Sequence, residues 1–306
     1  MGAAKVLGTK EITGRFALGF KLADVGTWFR AVAHDYPSDQ PQEIYKLMAA
    51  TPYLREWVGA RKAKEPRIHS LTVINKDFDS GIHFHRNDIR RDKTGHIAKA
   101  VQALGARTGF LPEDLLSTLL NDNTALAYDG IALYADRTGV DTGGQTDNDL
   151  TSVAAASGQP TSAEMATAIG DGVSLILQAK DEEDAPMNQD AKRFAVMIPP
   201  QFLAATAGAI GSEFHGTGQS NDLQQLGMVF DWFVNPWLAS ATVFHLFRTD
   251  GANMGLIFQE EQSVLLETLL GDSDQGKKTG LYSWHASRIA NVAAGQPGVT
   301  IRHTFT

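Results

Sequence analysis

The sequence has 306 residues, of which 43% are hydrophobic and 20% charged, and its formal net charge is −8. This composition is that of a folded globular protein, and the length allows two ordinary domains or one large domain with extensions. The absence of cysteine excludes disulfides and thiolate chemistry, and the net acidity argues against a dedicated nucleic-acid-binding protein. We expect no membrane span, because no apolar run approaches roughly 20 residues, and no secretory signal.

The first fifty residues contain scattered glycines and several large apolar side chains: Phe16, Phe20, Trp28, Phe29 and Tyr36. Two interpretations are open. These residues form one or two helices that pack on the main body, or they form an arm that places its aromatic side chains on another subunit. Residues 43–50 are predicted to form a short helix that ends before Pro52.

The next segment predicts a two-stranded ribbon. Residues 68–75 and 82–89 alternate in polarity as strands do, and residues 76–81 provide a turn. An isolated ribbon is only marginally stable in water, so this one requires a partner surface. His83 and His85 share one face with His69 opposite, but no carboxylate or cysteine completes a zinc-binding set, so we interpret them as part of a polar face.

Residues 95–121 predict a long helix. Its apolar stripe has helical spacing through Ile97, Val101, Leu104, Thr108, Leu111, Leu115 and Leu119. Because the stripe keeps its phase on both sides of Pro112, we predict one rod of roughly 39 Å, kinked near residues 109–112. An exposed ribbon beside a rigid rod is typical of a subunit that interlocks with copies of itself.

The remaining chain alternates between short helices and strands. Helices are predicted from Thr161 or Ser162 onward and at 201–210, and residues 260–270 could be strand or helix. Strands are predicted at 128–134, 194–198, 227–234, 241–247, 255–258, 282–293 and 299–305. Helices grouped in the middle of the chain and strands towards its ends indicate an α+β fold.

No motif assembles an active site. Residues 271–278 approach a phosphate-binding loop, but Lys278 stands where Ser or Thr must hold magnesium, and the two aspartates of this segment would repel a triphosphate. The segment Gly216-Thr217-Gly218 lacks the third glycine of a dinucleotide-binding turn. We therefore predict that the protein is not an enzyme and has no catalytic residue, cofactor or metal.

Several fragments occur in an order that resembles a known family. They are LREWVG at 54–59 with Arg61, Asn75-Lys76 with Phe78, Arg86 with Asp88-Ile89 and Asp92, PEDL at 112–115, YDG at 128–130, and LIFQ at 256–259. This series resembles the Mu-like phage major head subunit family. The sequence departs from the family pattern after residue 130, where it has Leu133, Tyr134 and Arg137.

The resemblance implies the Hong Kong 97-type phage capsid fold, an α+β fold. It assigns residues 1–50 to an N-terminal arm, 51–62 to a connector to the peripheral domain and 63–91 to an extended loop hairpin. Residues 92–126 become the spine helix of the peripheral domain. The axial domain takes residues 127–255, and residues 256–306 supply strands that return to the peripheral domain.

The resemblance also implies the function of a major capsid protein of a tailed bacteriophage. Such a protein self-assembles as a homo-oligomer, in pentamers and hexamers of an icosahedral head that encloses double-stranded DNA without binding it specifically. Portal, scaffold and decoration proteins are further candidate partners, and the expected location is the virion capsid, assembled in the host cytoplasm. The alternative is an encapsulin-like nanocompartment shell protein that holds enzyme cargo.

Inter-subunit contacts are expected at charged and aromatic residues around the ribbon. We predict that these contacts use Arg55, Glu56, Trp57, Arg61, Lys76, Asp77, Phe78, Arg86, Asp88, Arg90 and Arg91. The arginines at the base of the ribbon would face Glu56 or acidic loops of a neighbouring subunit. Bidentate arginine–carboxylate contacts give such an interface both energy and geometric specificity.

Overall fold

A computed structural model describes residues 9–25, 28–50, 56, 67–92, 94–137, 147–181, 184–212, 221–269 and 278–306. The helices are α1 (Thr9–Val25), α2 (Phe29–Val32), α3 (Arg86–Arg91), α4 (His96–Gly109), α5 (Leu111–Asn121), α6 (Ser162–Gln178), α7 (Leu203–Gly211) and α8 (Asp222–Gln225). The strands are β1 (Ala33–Pro37), β2 (Gln42–Ala50), β3 (Arg67–Ile74), β4 (Lys76–His85), β5 (Asp149–Ser152), β6 (Arg193–Ile198), β7 (Val229–Val234), β8 (Val243–Arg248), β9 (Leu256–Leu269), β10 (Leu281–Ala294) and β11 (Thr300–Phe305). Among the helices of the described residues, none is long and apolar enough to span a membrane.

The described strands form three sheets. A five-stranded sheet has the order β5-β11-β8-β6-β7, a four-stranded sheet has the order β1-β9-β10-β4, and β2 pairs with β3 alone. Helices and sheets are thus mixed in the α+β manner that the order of predicted elements indicated.

The five-stranded sheet is covered on both faces, and this explains the uninterrupted apolar run of β6. On one face, Phe194 and Val196 pack in a cluster with Ile169 of α6. On the other face, Ala195 and Met197 join a second cluster with the N-terminal segment. Burial on both faces removes the usual alternation of polar and apolar residues. Helix α6 begins as predicted, because Thr161 and Glu164 form a capping box.

The four-stranded sheet carries helices α4 and α1 on one face. Val101 of α4 and Trp284 of β10 are buried in a third cluster, together with Phe16 of α1. Helices α1 and α4 approach each other closely at two glycines. A Cβ atom at Gly105 would lie 2.2 Å from the carbonyl oxygen of Phe16, and one at Gly19 would lie 2.0 Å from that of Gln102. The N-terminal helix therefore packs on the main body of its own chain.

The predicted single rod is two helices. The interruption lies where the kink was expected, since α4 ends at Gly109 and α5 begins at Leu111. The apolar phase does not continue across it: Leu116 and Leu120 are buried, whereas the predicted Leu115 and Leu119 are only half-buried. The phase can shift because α4 packs on α1 and β10, whereas α5 packs in the cluster of Phe29 and Phe258.

The predicted hairpin is also wrong in its pairing. β3 pairs with β2, so residues 42–50 form a strand and not the expected helix. β4 pairs along its whole length with β10, and residues 76–81 lie inside that strand instead of forming a turn. Gly81 serves here as a point of close approach, since a Cβ atom would lie 2.6 Å from Nδ1 of His285. Alternating polarity specifies a strand but does not select its partner.

Three further features concern the chain from residue 128 onward. Residues 128–134 form turns with a single bridge between Leu126 and Ala132, not a strand. Residues 260–269 continue β9 as a strand, which settles that open choice. β11 pairs with β8 and β5 in the five-stranded sheet, although it follows the two long strands of the four-stranded sheet in sequence.

Candidate assembly surfaces

Helix α3 presents a compact set of charged side chains at the end of β4. His85 caps the helix by accepting a hydrogen bond at Nδ1 from the backbone N–H of Asn87, at 3.2 Å. The backbone N–H of Arg86 donates to Gly280 O at 2.9 Å, and the buried Ile89 anchors the helix to the third cluster. The remaining charged residues of the helix are exposed: Arg86, Asp88, Arg90 and Arg91.

The arginines of α3 have no partner inside the described part of the chain. No ion pair of the described residues includes Arg86, Arg90 or Arg91. The side chain of the next acidic residue, Asp92, is hydrogen-bonded to backbone N–H groups at the start of α4. It accepts from the backbone N–H groups of Ile97 and Thr94, among others, and these bonds lower the pKa of Asp92 to about 2. The arginines of α3 are therefore free to contact another molecule.

Lys76, Asp77 and Phe78 lie at the opposite end of β4. Lys76 and Asp77 are exposed, whereas Phe78 is half-buried. Nine residue steps separate Lys76 from His85, which corresponds to roughly 30 Å of extended strand. The structure therefore divides the predicted contact residues between the two ends of one strand. Glu56 is exposed, and Arg55, Trp57 and Arg61 lie outside the described residues.

Asn75 fixes the base of the β2–β3 ribbon. Its side-chain amide donates to Ser38 Oγ at 3.1 Å, to Gln40 O at 2.8 Å and to Glu261 Oε2 at 2.9 Å. Its carbonyl oxygen accepts from Nε2 of Gln259 at 2.7 Å. One asparagine thus ties the ribbon to the turn before β2 and to β9. Asn75 was part of the family-like pattern, but its role could not be inferred without knowing which strands pair.

The inner face of the ribbon packs against the chain. Tyr45 donates through its hydroxyl to Gln259 Oε1 at 2.8 Å, and burial, assisted by the neighbouring Glu43 and Tyr36, raises its pKa to about 12. Val73 is buried, and the ring of His69 lies 5.2 Å from that of Tyr128. The hairpin interpretation placed His69 opposite His83, and the contact of His69 with Tyr128 shows that this placement is wrong.

The outer face of the ribbon exposes three isoleucine side chains among polar ones. Ile44 and Ile74 are each 59% exposed, and Ile68 is 51% exposed. Gln42 pairs with Ile74 and Ile44 with Thr72, so Ile44 and Ile74 are diagonal neighbours on this face. Adjacent exposed apolar side chains such as Ile44 and Ile74 indicate an interaction surface. Sequence reasoning missed this surface because residues 43–50 were assigned to a helix. In the strand that they form, Glu43, Tyr45 and Leu47 lie on the face opposite Ile44.

The described residues contain no constellation suited to catalysis. A cleft of about 510 Å³ is lined by Asn121, His245 and Arg302, among others. Arg302 is already paired with Asp149 at 2.6 Å, and Asn121 bonds the backbone of Trp237. Ser152 and His303 lie 2.8 Å apart, but the buried Nδ1 of that histidine has no acidic partner. No group of three histidine or carboxylate residues within the described ranges could hold a metal ion.

Comparison with known proteins identifies the family to which this chain belongs. Residues 9–164, just over half of the chain, match the family described as Mu-like prophage major head subunit gpT. The chain belongs to this family. The family is one of structural head subunits and not of enzymes, which confirms the prediction that the protein is not an enzyme. It also confirms the resemblance seen in the ordered sequence fragments.

The relatives support the same assignment. The chain is 29% identical to the major capsid protein of Escherichia phage Mu over 110 residues, 36% of each chain. The capsid of bacteriophage JBD30 matches 90% of this chain with a TM-score of 0.52 and 15% identity, and the match covers 64% of that protein. The mature capsid of bacteriophage PhiM1 matches 92% of this chain and 87% of its own, with a TM-score of 0.59 and 11% identity.

These matches establish the fold. At identities of 15% and 11%, the structural similarity shows that the chain has the tailed-phage capsid fold. The chain spans less than two thirds of the length of the phage Mu and JBD30 proteins in these matches. This head subunit therefore shares its fold with the capsid proteins of other tailed phages.

Proposed function

We propose that this chain is the major capsid protein of a tailed bacteriophage. Its copies assemble into pentamers and hexamers of an icosahedral head, which encloses double-stranded DNA. Membership of the head subunit family over residues 9–164 carries this proposal. The encapsulin-like nanocompartment is not favoured, because the matching family and its sequence relatives are phage head subunits.

Two separate surfaces support assembly, the outer face of the β2–β3 ribbon and helix α3 at the far end of β4. The outer ribbon face exposes Ile44, Ile68 and Ile74, and burial against a neighbouring copy would remove this apolar area from water. Helix α3 presents Arg86, Arg90 and Arg91 without ion pairs among the described residues. We place carboxylates of a neighbouring copy opposite them, because charge complementarity guides subunits into the correct orientation.

The net charge of −8 is compatible with a shell that encloses DNA without binding its phosphates. A protein that binds DNA through its phosphates requires many lysine and arginine contacts. An acidic shell does not retain its packaged DNA by such contacts, so the DNA would be enclosed without specific binding. Portal, scaffold and decoration proteins remain proposed partners, and the host cytoplasm remains the proposed place of assembly.

Electron microscopy of the purified protein, produced alone and together with the neighbouring structural genes, tests this function. Icosahedral particles that contain double-stranded DNA are the expected result. Small uniform shells that contain a cargo enzyme and no DNA would support the nanocompartment. A chain that forms no capsomers or shells under either condition would overturn the proposed function.

Charge reversal tests the role of α3. The triple variant Arg86→Glu, Arg90→Glu and Arg91→Glu should assemble at least ~10-fold more slowly at low salt, since long-range charge attraction speeds association. Lys99→Glu on the exposed side of α4 is the control and should assemble normally. Assembly of the triple variant at the rate of this control would show that α3 makes no inter-subunit contact.

A further inference from the structure

Two buried histidines lie on neighbouring strands of the five-stranded sheet. His245 of β8 is 1% exposed, and His303 of β11 is 2% exposed. In the antiparallel register of these strands, His245 is opposite Arg302 and His303 is opposite Phe244. Directly opposite residues share a face of a sheet and successive residues alternate. The two histidines therefore lie on opposite faces of the β8–β11 pair and are buried among different neighbours.

His303 is enclosed by aromatic rings. Its ring lies 5.1 Å from that of Phe244 and 5.0 Å from that of Phe305. Its Nε2 lies 2.8 Å from Ser152 Oγ of β5, and its buried Nδ1 has no hydrogen-bond partner among the described residues. Burial lowers the pKa of His303 to about 4, against an opposing contribution from the exposed Asp171 of α6. The site therefore fits a neutral imidazole and lacks an acceptor for a second proton.

His245 lies beside a fixed cation. Its Nδ1 is 3.1 Å from the hydroxyl oxygen of Tyr134, and the two rings are 5.1 Å apart. Arg302 lies opposite in β11 and is paired with Asp149 of β5 at 2.6 Å. Burial and the charge of Arg302 lower the pKa of His245 to about 3, although Asp149 acts in the opposite direction. A proton on His245 would therefore add a second positive charge beside Arg302 in a buried place.

The two histidines affect the pH dependence of folding in the same direction. In the unfolded chain each has a pKa near 6.5, and in the folded chain each pKa is lower. The stability that each neutral histidine contributes is therefore fully present above about pH 6.5, and it is lost as the pH falls from there through the folded pKa. Mild acid thus acts against the fold at both faces of one strand pair.

We propose that mild acid separates β11 from β8, because protons on His245 and His303 place a buried charge on each face of this strand pair. β11 also links β8 to the edge strand β5. Its separation therefore releases β5 as well and leaves β8, β6 and β7 together. The device belongs to the subunit. In the shell proposed above every copy would carry it, and that consequence alone rests on the proposed function.

Urea unfolding of the unassembled subunit at pH 7 and pH 5 tests the two side chains. Between these pH values the unfolding equilibrium constant should rise about 20-fold for each histidine that is neutral in the fold and protonated in the unfolded chain. His245→Gln keeps a neutral polar group beside Tyr134, and His303→Phe keeps an aromatic ring between Phe244 and Phe305. Each variant should lower the ratio of the pH 5 constant to the pH 7 constant by about 20-fold, and the double variant by about 400-fold.

Two comparisons control this measurement. His96→Gln, at an exposed histidine of α4, is the matched control and should keep the ratio of the natural protein. Glu113, whose raised pKa acts in the opposite direction, is unchanged in all of these variants and cancels from the comparison. A double variant with the same ratio as His96→Gln would overturn the proposal.

Hydrogen exchange of the natural subunit locates the separation and requires no substitution. After correction for intrinsic exchange rates, the amides of β5 and β11 should exchange at least ~10-fold faster at pH 5 than at pH 7, while those of β9 and β10 should change little. An equal gain in both sheets would overturn a separation specific to β11. Both measurements use the unassembled subunit, so failure of the chain to form shells would overturn the proposed function and leave this inference intact.

Discussion

The five-stranded sheet and the β2–β3 ribbon differ in where their interactions are completed. The sheet packs against buried clusters on both faces, and Arg137, in the segment beside it, finds its charged partner within the chain. In the ribbon, one face packs on the chain and the other exposes Ile44, Ile68 and Ile74 to solvent. The sheet thus completes its interactions within the chain, whereas the ribbon leaves part of one face uncovered, and there we propose that a neighbouring subunit packs.

Arg137 illustrates how a buried charged side chain finds its hydrogen-bond partners within the chain. This side chain is 1% exposed and donates to Asp129 Oδ2 at 2.9 Å, to Ala132 O at 2.7 Å and to Leu133 O at 3.1 Å. Asn148 links the same carbonyl, Leu133 O, to the backbone before β11. The network therefore holds the turn at 128–134, where a strand was predicted, against the five-stranded sheet.

The largest effect is expected from breaking this network. Arg137→Leu should destabilise the subunit by about 3–5 kcal/mol, because Asp129 would remain buried without its cation. Urea unfolding of the unassembled subunit measures this change. Arg193→Ala, which removes a surface pair whose side chains are 59% and 60% exposed, is the control and should cost about 0–1 kcal/mol. Equal effects of the two substitutions would show that the buried network is not a main source of stability.

The next effect concerns the contact between α1 and α4. Gly105→Ala should cost about 1–3 kcal/mol by overpacking, because its Cβ would lie 2.2 Å from the carbonyl oxygen of Phe16. It should also increase proteolysis within α1. Gly14→Ala is the matched control in α1, with no atom within 4 Å of its Cβ, and should stabilise the helix by about 0.5–1 kcal/mol. Unchanged proteolysis in Gly105→Ala would mean that α1 is held by other contacts.

Glu113 provides a pH-dependent test at the junction of α2 and α5. This buried carboxylate accepts from the backbone N–H of Trp28 at 2.7 Å, and burial raises its pKa. Since the folded pKa lies above the unfolded value, stability from this group is fully present below the unfolded pKa and is lost as pH rises through the folded pKa.

Glu113→Gln keeps the acceptor and removes the ionisation. The Tm of this variant should exceed that of the natural protein at pH 7 and approach it near pH 4. Asp114→Asn, which changes the exposed neighbouring carboxylate, should not show this difference. A lower Tm of the Glu113→Gln variant at pH 7 would indicate that the charged carboxylate stabilises the junction.

The smallest effect on subunit stability is expected at the ribbon. Ile44→Thr should change the free energy of unfolding by less than about 0.5 kcal/mol, because Ile44 is 59% exposed. The same substitution should reduce shell yield, measured by sedimentation. Val73→Thr is the contrast on the inner face and should destabilise the subunit itself, since Val73 is 3% exposed. A large loss of subunit stability in Ile44→Thr would remove the distinction between the two regions.

The sequence alone determined the elements whose signals are local. A cap at Thr161 or Ser162 predicted the start of α6, and the apolar run 194–198 followed by two prolines predicted β6 and its end. Ordered fragments such as LREWVG and YDG were sufficient for the family, because their order is more specific than any one of them. The order of the predicted elements indicated the α+β class, and the family resemblance implied the capsid fold and a structural role.

Only the tertiary structure decided which strands pair and which faces are covered. Alternating residues predicted strands at 68–75 and 82–89, but residues 86–89 belong to helix α3, and the pairing of β3 with β2 and of β4 with β10 depends on contacts distant in sequence. The shift of phase between α4 and α5 likewise depends on two different packing surfaces. The sequence pattern reports the polarity of each residue, whereas burial depends on neighbours that the chain brings together only when it folds.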